Sequence, residues 1–220
     1  MNINIEIVMA FFLLSCLMLT ACSRMLHCIR IVSLQGLLLG VLPLLLTEHI
    51  HATQYAAAGL NICIKAIALP VLLYLAMKKA DVKRELEPLV SYPVSLLVVL
   101  CGIAGAFMLS AHLSLPESSS SSLRLVLPVS FSVVFTGLFI VMARKKAITQ
   151  AIGFLTFENG IALFGTGMML ECGLAVELGI LLDVLVLVFV MGIAVFQISR
   201  EFEHIDADRL NLLTDSEEVK

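Results

Sequence analysis

Long apolar runs dominate this chain, and about seven of them could each form a helix that crosses a lipid bilayer. Such a helix needs about 20 apolar residues, and its backbone groups must hydrogen-bond within their own segment. Apolar residues make up 60% of the sequence and charged residues 14%, against roughly 45–50% and about 25% in soluble domains. The sequence therefore predicts an all-α, polytopic membrane protein. The predicted transmembrane helices cover roughly 4–22, 31–48, 54–77, 89–112, 123–143, 147–170 and 173–198.

Basic residues alternate between the links that join these runs. The first, third and fifth links carry Lys or Arg, as does the C-terminal tail, whereas the second and sixth carry neither. The fourth link has none before Arg124, which lies at its far edge. Because Lys and Arg mark the cytoplasmic side of a membrane, the pattern predicts an N-terminus outside and a C-terminus in the cytoplasm.

A serine run at 118–122 is the low-complexity stretch of the chain and has the composition of a linker. It divides the predicted helices into an N-terminal four-helix half, residues 1–117, and a three-helix membrane core, residues 123–200. Residues 201–220 form an acidic tail that we expect to be cytoplasmic. The links are short, so no domain outside the membrane is predicted that could hold a nucleotide or flavin.

The chemistry-bearing motifs of soluble enzymes are absent from the sequence. It has no glycine-rich phosphate loop, no nucleophile elbow, no zinc-binding H-E-x-x-H and no basic patch suited to nucleic acid. Its six cysteines are scattered without paired Cys/His spacing, which is typical of small packing residues. We therefore expect no cofactor, no metal and no catalytic site of the chain's own.

Four ionisable side chains lie inside the apolar runs, namely Lys65, Glu158, Glu177 and Asp183. A charge at the centre of a membrane helix costs about 2.5–3.5 kcal/mol on insertion scales, and such groups usually face a protein interior or a wet path. At a rise of about 1.5 Å per residue, Lys65, Glu158 and Asp183 all fall near the middle of the membrane. Glu177 lies higher, within reach of the outer interface. The pattern favours proton or ion handling.

Each of these residues also has a plainer interpretation. Glu158 is either a proton-relay carboxylate or a neutral acid that hydrogen-bonds a neighbouring helix, since burial and a nearby cation act on its proton affinity in opposite directions. Lys65 either hands on protons or neutralises a carboxylate. Asp183 is too short to reach either membrane surface, which favours function, whereas Glu177 can be an interfacial charge.

Several polar motifs resemble component E of hydrogenase-4-type membrane complexes. The segment IGFLTFENGI at 152–161 is similar to that family's M-E-N-G signature, and AVELGILLD at 175–183 to its V-E-I-G stretch and following aspartate. The tail IDADRLNLLT at 205–214 and the segment IKAIALP at 64–70 also match. More distantly, residues 123–220 are similar to the K component of respiratory complex I and to the C component of Mrp-type sodium/proton antiporters.

The resemblance implies a membrane-arm subunit of a group 4, complex I-like nickel–iron hydrogenase in a prokaryotic cytoplasmic (inner) membrane. Its partners would be antiporter-like proteins, proteins similar to the H component of complex I and, through them, the peripheral hydrogenase arm. Glu158, Asp183, Lys65 and Glu177 would then belong to a proton or ion path coupled to hydrogen-linked electron transfer. Two alternatives stay open: a subunit of a multi-subunit cation/proton antiporter, or a passive structural spacer.

Overall fold

The computed structural model describes residues 3–46, 59, 62–79, 89–113, 121–168 and 192. The described segments are helical and contain no β-strand, which confirms the predicted all-α class. The helices are α1 (Ile3–Ala21), α2 (Met25–Leu46), α3 (Leu69–Lys79), α4 (Tyr92–His112), α5 (Ser121–Ala143) and α6 (Ala147–Met168). A π-helical segment, Cys63–Ala68, leads directly into α3.

Within the described part of the chain, four helical stretches are long and apolar enough to cross a membrane. They are Met25–Pro43, Tyr92–His112, Arg124–Ala143 and Ala147–Thr166. Two further apolar helical stretches, Ile5–Ala21 and Cys63–Leu75, are shorter. This composition indicates a membrane protein. Of the predicted last helix, 173–198, the structure describes Gly192, which is helical, and the remaining residues lie outside the described part of the chain.

Where both the predicted and the observed boundaries fall on described residues, they agree within about three residues, with one clear difference. Helix α2 begins at Met25 rather than at residue 31. Its first turns are amphipathic, because Met25, Cys28 and Ile29 are buried while Arg30 on the opposite side is exposed. Because Arg30 interrupts the apolar run, the apolar pattern alone does not predict the first turns of α2.

Helices α5 and α6 form an antiparallel hairpin whose backbones touch. A Cβ added to Gly160 would lie 2.6 Å from the backbone nitrogen of Val134, and one added to Gly153 would lie 2.9 Å from that of Val141. A Cβ on Gly137 would collide with the backbone of Phe157. Small residues permit this close approach of helices. The backbone of α6 is therefore held closely against α5, and this packing restrains the positions of the side chains on α6.

The other helices surround this hairpin. Helix α1 packs against α2, α4 and α5, while α2 packs against α6 and against the π-helical segment with α3. Helix α4 lies at one edge, on α5 and α1, and much of its surface is exposed. Helices from the N-terminal half thus pack directly on the hairpin of the C-terminal half.

Two apolar clusters fill the bundle at different heights. The first includes Leu19, Met25, Leu73 and Ile152, and it lies toward the end where α5 turns into α6. The second, which includes Phe12, Leu39, Val133 and Leu163, lies toward the opposite end. On α2 and α6 the buried residues between these clusters include the polar side chains of Gln35, Thr156, Glu158 and Asn159. A layer of polar side chains therefore lies between two apolar clusters.

Candidate functional site

The polar layer consists of side chains from four different helical segments. Its members are at most 7% exposed: Ser15, Gln35, Lys65, Glu158 and Asn159. Buried polar groups are costly unless they bond to one another, and a buried charge is costlier still unless it is paired. The layer therefore holds together as a set of mutual contacts.

Lys65 and Glu158 form a direct ion pair in this layer. The Lys65 Nζ lies 2.5 Å from the Glu158 Oε1, and both side chains are 2% exposed. The two residues are 93 positions apart in the chain, so the tertiary packing of the helices brings them together. Of the four ionisable residues singled out in the sequence, the structure brings together these two.

Helix α2 covers the backbone of Lys65. A Cβ added to Gly36 would lie 2.8 Å from the Cβ of Lys65 and 2.9 Å from its carbonyl oxygen. Only glycine leaves enough room for this contact, because any larger residue would push the two segments apart. Gly36 therefore lets α2 close one side of the ion pair.

The π-helical segment that carries Lys65 has an identifiable cause. Pro70 has no N–H, so it cannot donate to the carbonyl groups of the preceding turn. The N–H of Leu69 reaches back five residues to Ile64, which is the π-helical spacing. The carbonyl of Ala66, four residues before Pro70, accepts a hydrogen bond from the Ser33 hydroxyl of α2 at 2.7 Å. A side chain of α2 thus replaces a donor that the proline removes.

A second set of contacts runs across the bundle from α6 to α1. The Asn159 Nδ2 donates to the Gln35 Oε1 at 3.4 Å, and the Gln35 Nε2 donates to the Ser15 Oγ at 2.6 Å. The Ser15 hydroxyl donates in turn to the Phe12 carbonyl at 2.6 Å. Asn159 is adjacent to Glu158, so the ion pair and this chain of hydrogen bonds share a helix.

Neither Gln35 nor Ser15 is among the residues that the sequence predicts. Uncharged polar residues are common in membrane helices, where Ser and Thr often bond to their own backbone. Gln35 could have been predicted, because it is a long amide side chain within an apolar run and is adjacent to Gly36. A polar residue beside a glycine marks a close helix contact that needs a hydrogen-bond partner.

Arg144 is a further buried cation, at the end of the bundle where α5 finishes. Its side chain is 3% exposed, its Nη2 donates to the Thr20 carbonyl at 3.1 Å, and its guanidinium lies 4.7 Å from the centre of the Tyr92 ring. The sequence presents it as an ordinary basic residue of a link. The structure instead uses it to join the ends of α1, α4 and α5.

The remaining predicted site residues, Glu177 and Asp183, lie outside the described residues. Within the described segments, no group of three or more His, Cys, Asp or Glu side chains is close enough together to hold a metal ion. The described site contains a carboxylate and an ammonium group in direct contact. Groups of these two kinds can carry charge and bind or release protons.

Fold and site together define a class: an all-helical protein with several helices able to span a membrane and a lysine–glutamate pair buried between them. The chain is 35% identical over 191 residues to the Uncharacterized protein Rv0085 of Mycobacterium tuberculosis, an alignment that covers 85% of each chain. The chain belongs to the family of this mycobacterial protein. No protein-family model and no solved structure matches the chain significantly.

Proposed function

We propose that this chain is a membrane-arm subunit of a complex I-like nickel–iron hydrogenase, in which it helps to form an intramembrane proton or ion path. The polar motifs around Glu158 and the C-terminal tail support the assignment to such a complex. The observation that carries the role in ion movement is the buried pair of Lys65 and Glu158, 2.5 Å apart.

A buried ion pair suits charge transfer because each of its two charges responds strongly to a charge that arrives nearby. Two unit charges about 10 Å apart interact by roughly 1.7 kcal/mol at an effective dielectric constant of about 20. That energy exceeds the approximately 1.4 kcal/mol that corresponds to one pKa unit. Arrival of a proton on a neighbouring group therefore acts on the buried pair strongly enough to drive a proton onward along the path.

The same proposal includes the topology and the partners. The chain has seven transmembrane helices in a prokaryotic cytoplasmic membrane, with the N-terminus outside and the C-terminus in the cytoplasm. In this proposal Asp183 and Glu177 of the predicted last helix belong to the same ion path as Glu158 and Lys65. Antiporter-like proteins and proteins similar to the H component of complex I continue this path, and the nickel–iron arm supplies the redox chemistry.

Direct pairing also favours a second candidate, the passive spacer. A lysine and a glutamate in contact neutralise each other and fix two helices, whether or not protons move. Under this alternative, neutral replacements of Glu158 change the stability of the complex more than they change transport.

The deciding experiment replaces Glu158 with Gln in the full complex and measures ion translocation coupled to hydrogen turnover in inverted membrane vesicles. We expect the complex to assemble and to turn over hydrogen while the number of ions moved per hydrogen falls severalfold. Thr156→Val is the matched control, because Thr156 is equally buried on α6 but bonds to its own helix at Ile152.

Full coupling in the Glu158→Gln complex would reject the proposed role in ion movement. The assignment to a hydrogenase is checked separately, by purifying the tagged chain in mild detergent and identifying its partners by mass spectrometry. We expect a nickel–iron large subunit among them. Antiporter proteins without that large subunit would support the antiporter alternative instead.

A further inference from the structure

Gln35 contacts two helices at once in the middle of the bundle, and it is 1% exposed. We infer that Gln35 is a positioning residue for Glu158: by holding Asn159, it ties the turn of α6 that carries Glu158 to α2 and helps to hold the carboxylate against Lys65. This inference rests on the proposed function, since it assigns a further residue to the same ion path.

The geometry links the two contacts through adjacent residues. Asn159 donates to Gln35 at 3.4 Å on the side of α6 that faces α2, while Glu158 meets Lys65 at 2.5 Å. Successive residues of an α-helix are separated by about 100° of rotation, because a turn contains about 3.6 residues. A bond that restrains Asn159 therefore also restrains the turn of α6 from which Glu158 extends.

Gln35 is itself held in place from the other side. Its Nε2 donates to the Ser15 hydroxyl at 2.6 Å, and that hydroxyl donates to the Phe12 carbonyl at 2.6 Å. All the donors point the same way, from α6 toward α1, and the series ends on a backbone carbonyl. The arrangement anchors α6 to α1 through α2.

The chemistry of amides separates positioning from proton conduction. A side-chain amide offers two N–H donors and a carbonyl acceptor, and unlike a carboxylate it does not ionise near neutral pH. Gln35 and Asn159 therefore orient the ion pair and do not carry its proton. Loss of Gln35 is expected to change how Glu158 exchanges protons while all the ionisable groups remain present.

The test compares three variants in the assembled complex: Gln35→Leu, Gln35→Glu and Glu158→Gln, with Thr156→Val as the control for loss of a buried polar group. Gln35→Leu removes both hydrogen bonds at similar size. Gln35→Glu keeps an acceptor for Asn159 and a second oxygen near Ser15, whose hydroxyl can turn to donate. Ion movement per hydrogen is measured across a pH series, together with the amount of assembled complex.

We expect Gln35→Leu to assemble and to displace the pH profile. We expect it to lower the ions moved per hydrogen roughly three- to tenfold, the factor that corresponds to loss of the one buried hydrogen bond to Asn159. Gln35→Glu should recover much of the coupling with a pH profile of its own, and Thr156→Val should match the wild type. A structural role alone would lower the amount of complex without moving the profile.

Two failures are distinguishable. If Glu158→Gln is uncoupled but Gln35→Leu keeps the wild-type ratio and pH profile, the inference about Gln35 is wrong and the proposed function stands. If Glu158→Gln remains fully coupled, the proposed function falls, and the inference falls with it. Absence of assembled complex in both Gln35 variants would also overturn the inference, because the residue would then serve folding alone.

Discussion

The two partners of the buried ion pair are carried by very different pieces of helix. Glu158 belongs to α6, a regular helix whose glycines bring it into backbone contact with α5. Lys65 belongs to a π-helical segment that ends just before Leu69 and Pro70, beside α2. The carboxylate lies on a close-packed hairpin, and the ammonium lies on a π-helical segment just before a proline.

Because of this difference, Glu158 is held more firmly than Lys65. Around α6, displacement of Glu158 would require two backbones in contact to separate. Around Lys65, one carbonyl bonds to the Ser33 side chain, and the far side of the segment is open, since Ile67 is 57% exposed. π-Helical turns frequently occur at functional sites in helices. We expect the lysine side of the pair to yield first when the site is disturbed.

The largest effect is expected from breaking the pair on one side only. Removing one partner of a buried ion pair typically costs about 3–5 kcal/mol, whereas replacing both by apolar residues is often neutral. Lys65→Met and Glu158→Leu should each lower the thermal stability of the purified protein strongly, and the double variant should recover much of the loss. Additive losses in the double variant would mean that the pair contributes no coupling energy.

A smaller effect is expected from filling the contact between α5 and α6. In Gly137→Ala the new Cβ would overlap the backbone of Phe157, and overpacking a fitted core costs about 1–3 kcal/mol. Gly105→Ala on α4 is the control, because nothing lies within 4 Å of the Cβ it adds. Unfolding in detergent, followed by circular dichroism, measures both. Equal stability of the two variants would show that the hairpin is looser than its glycine contacts indicate.

The smallest effect is expected on the lysine side. Ser33→Ala removes the donor to the Ala66 carbonyl, a loss of about 0.5–1.5 kcal/mol for one hydrogen bond. Pro70→Ala supplies an N–H four residues after Ala66, so Ser33→Ala should cost less in the Pro70→Ala background. A double-mutant cycle on thermal stability tests this coupling. An unchanged cost of Ser33→Ala would separate the proline from the Ser33 contact.

Much of this architecture could be predicted from the sequence because hydropathy is a local property. Apolar runs of fixed length located the helices, and Lys65 and Glu158 stood out as charges that lipid does not tolerate. The early start of α2 and the burial of Arg144 could not be predicted that way. The early start of α2 depends on apolar residues that pack beside an exposed Arg30, and the burial of Arg144 depends on partners from other helices. Runs of apolar residues predict neither.

The sequence by itself determined that the chain is helical, which segments are apolar enough for lipid, and which charges lie inside them. Only the tertiary structure decided that Lys65 meets Glu158, and that Gln35 ties α6 to α1 between two apolar clusters. The reason is physical. The free-energy cost of burying a charge can be assigned residue by residue from the sequence. Pairing offsets that cost, and pairing depends on how the helices pack, which here brings together two residues 93 positions apart.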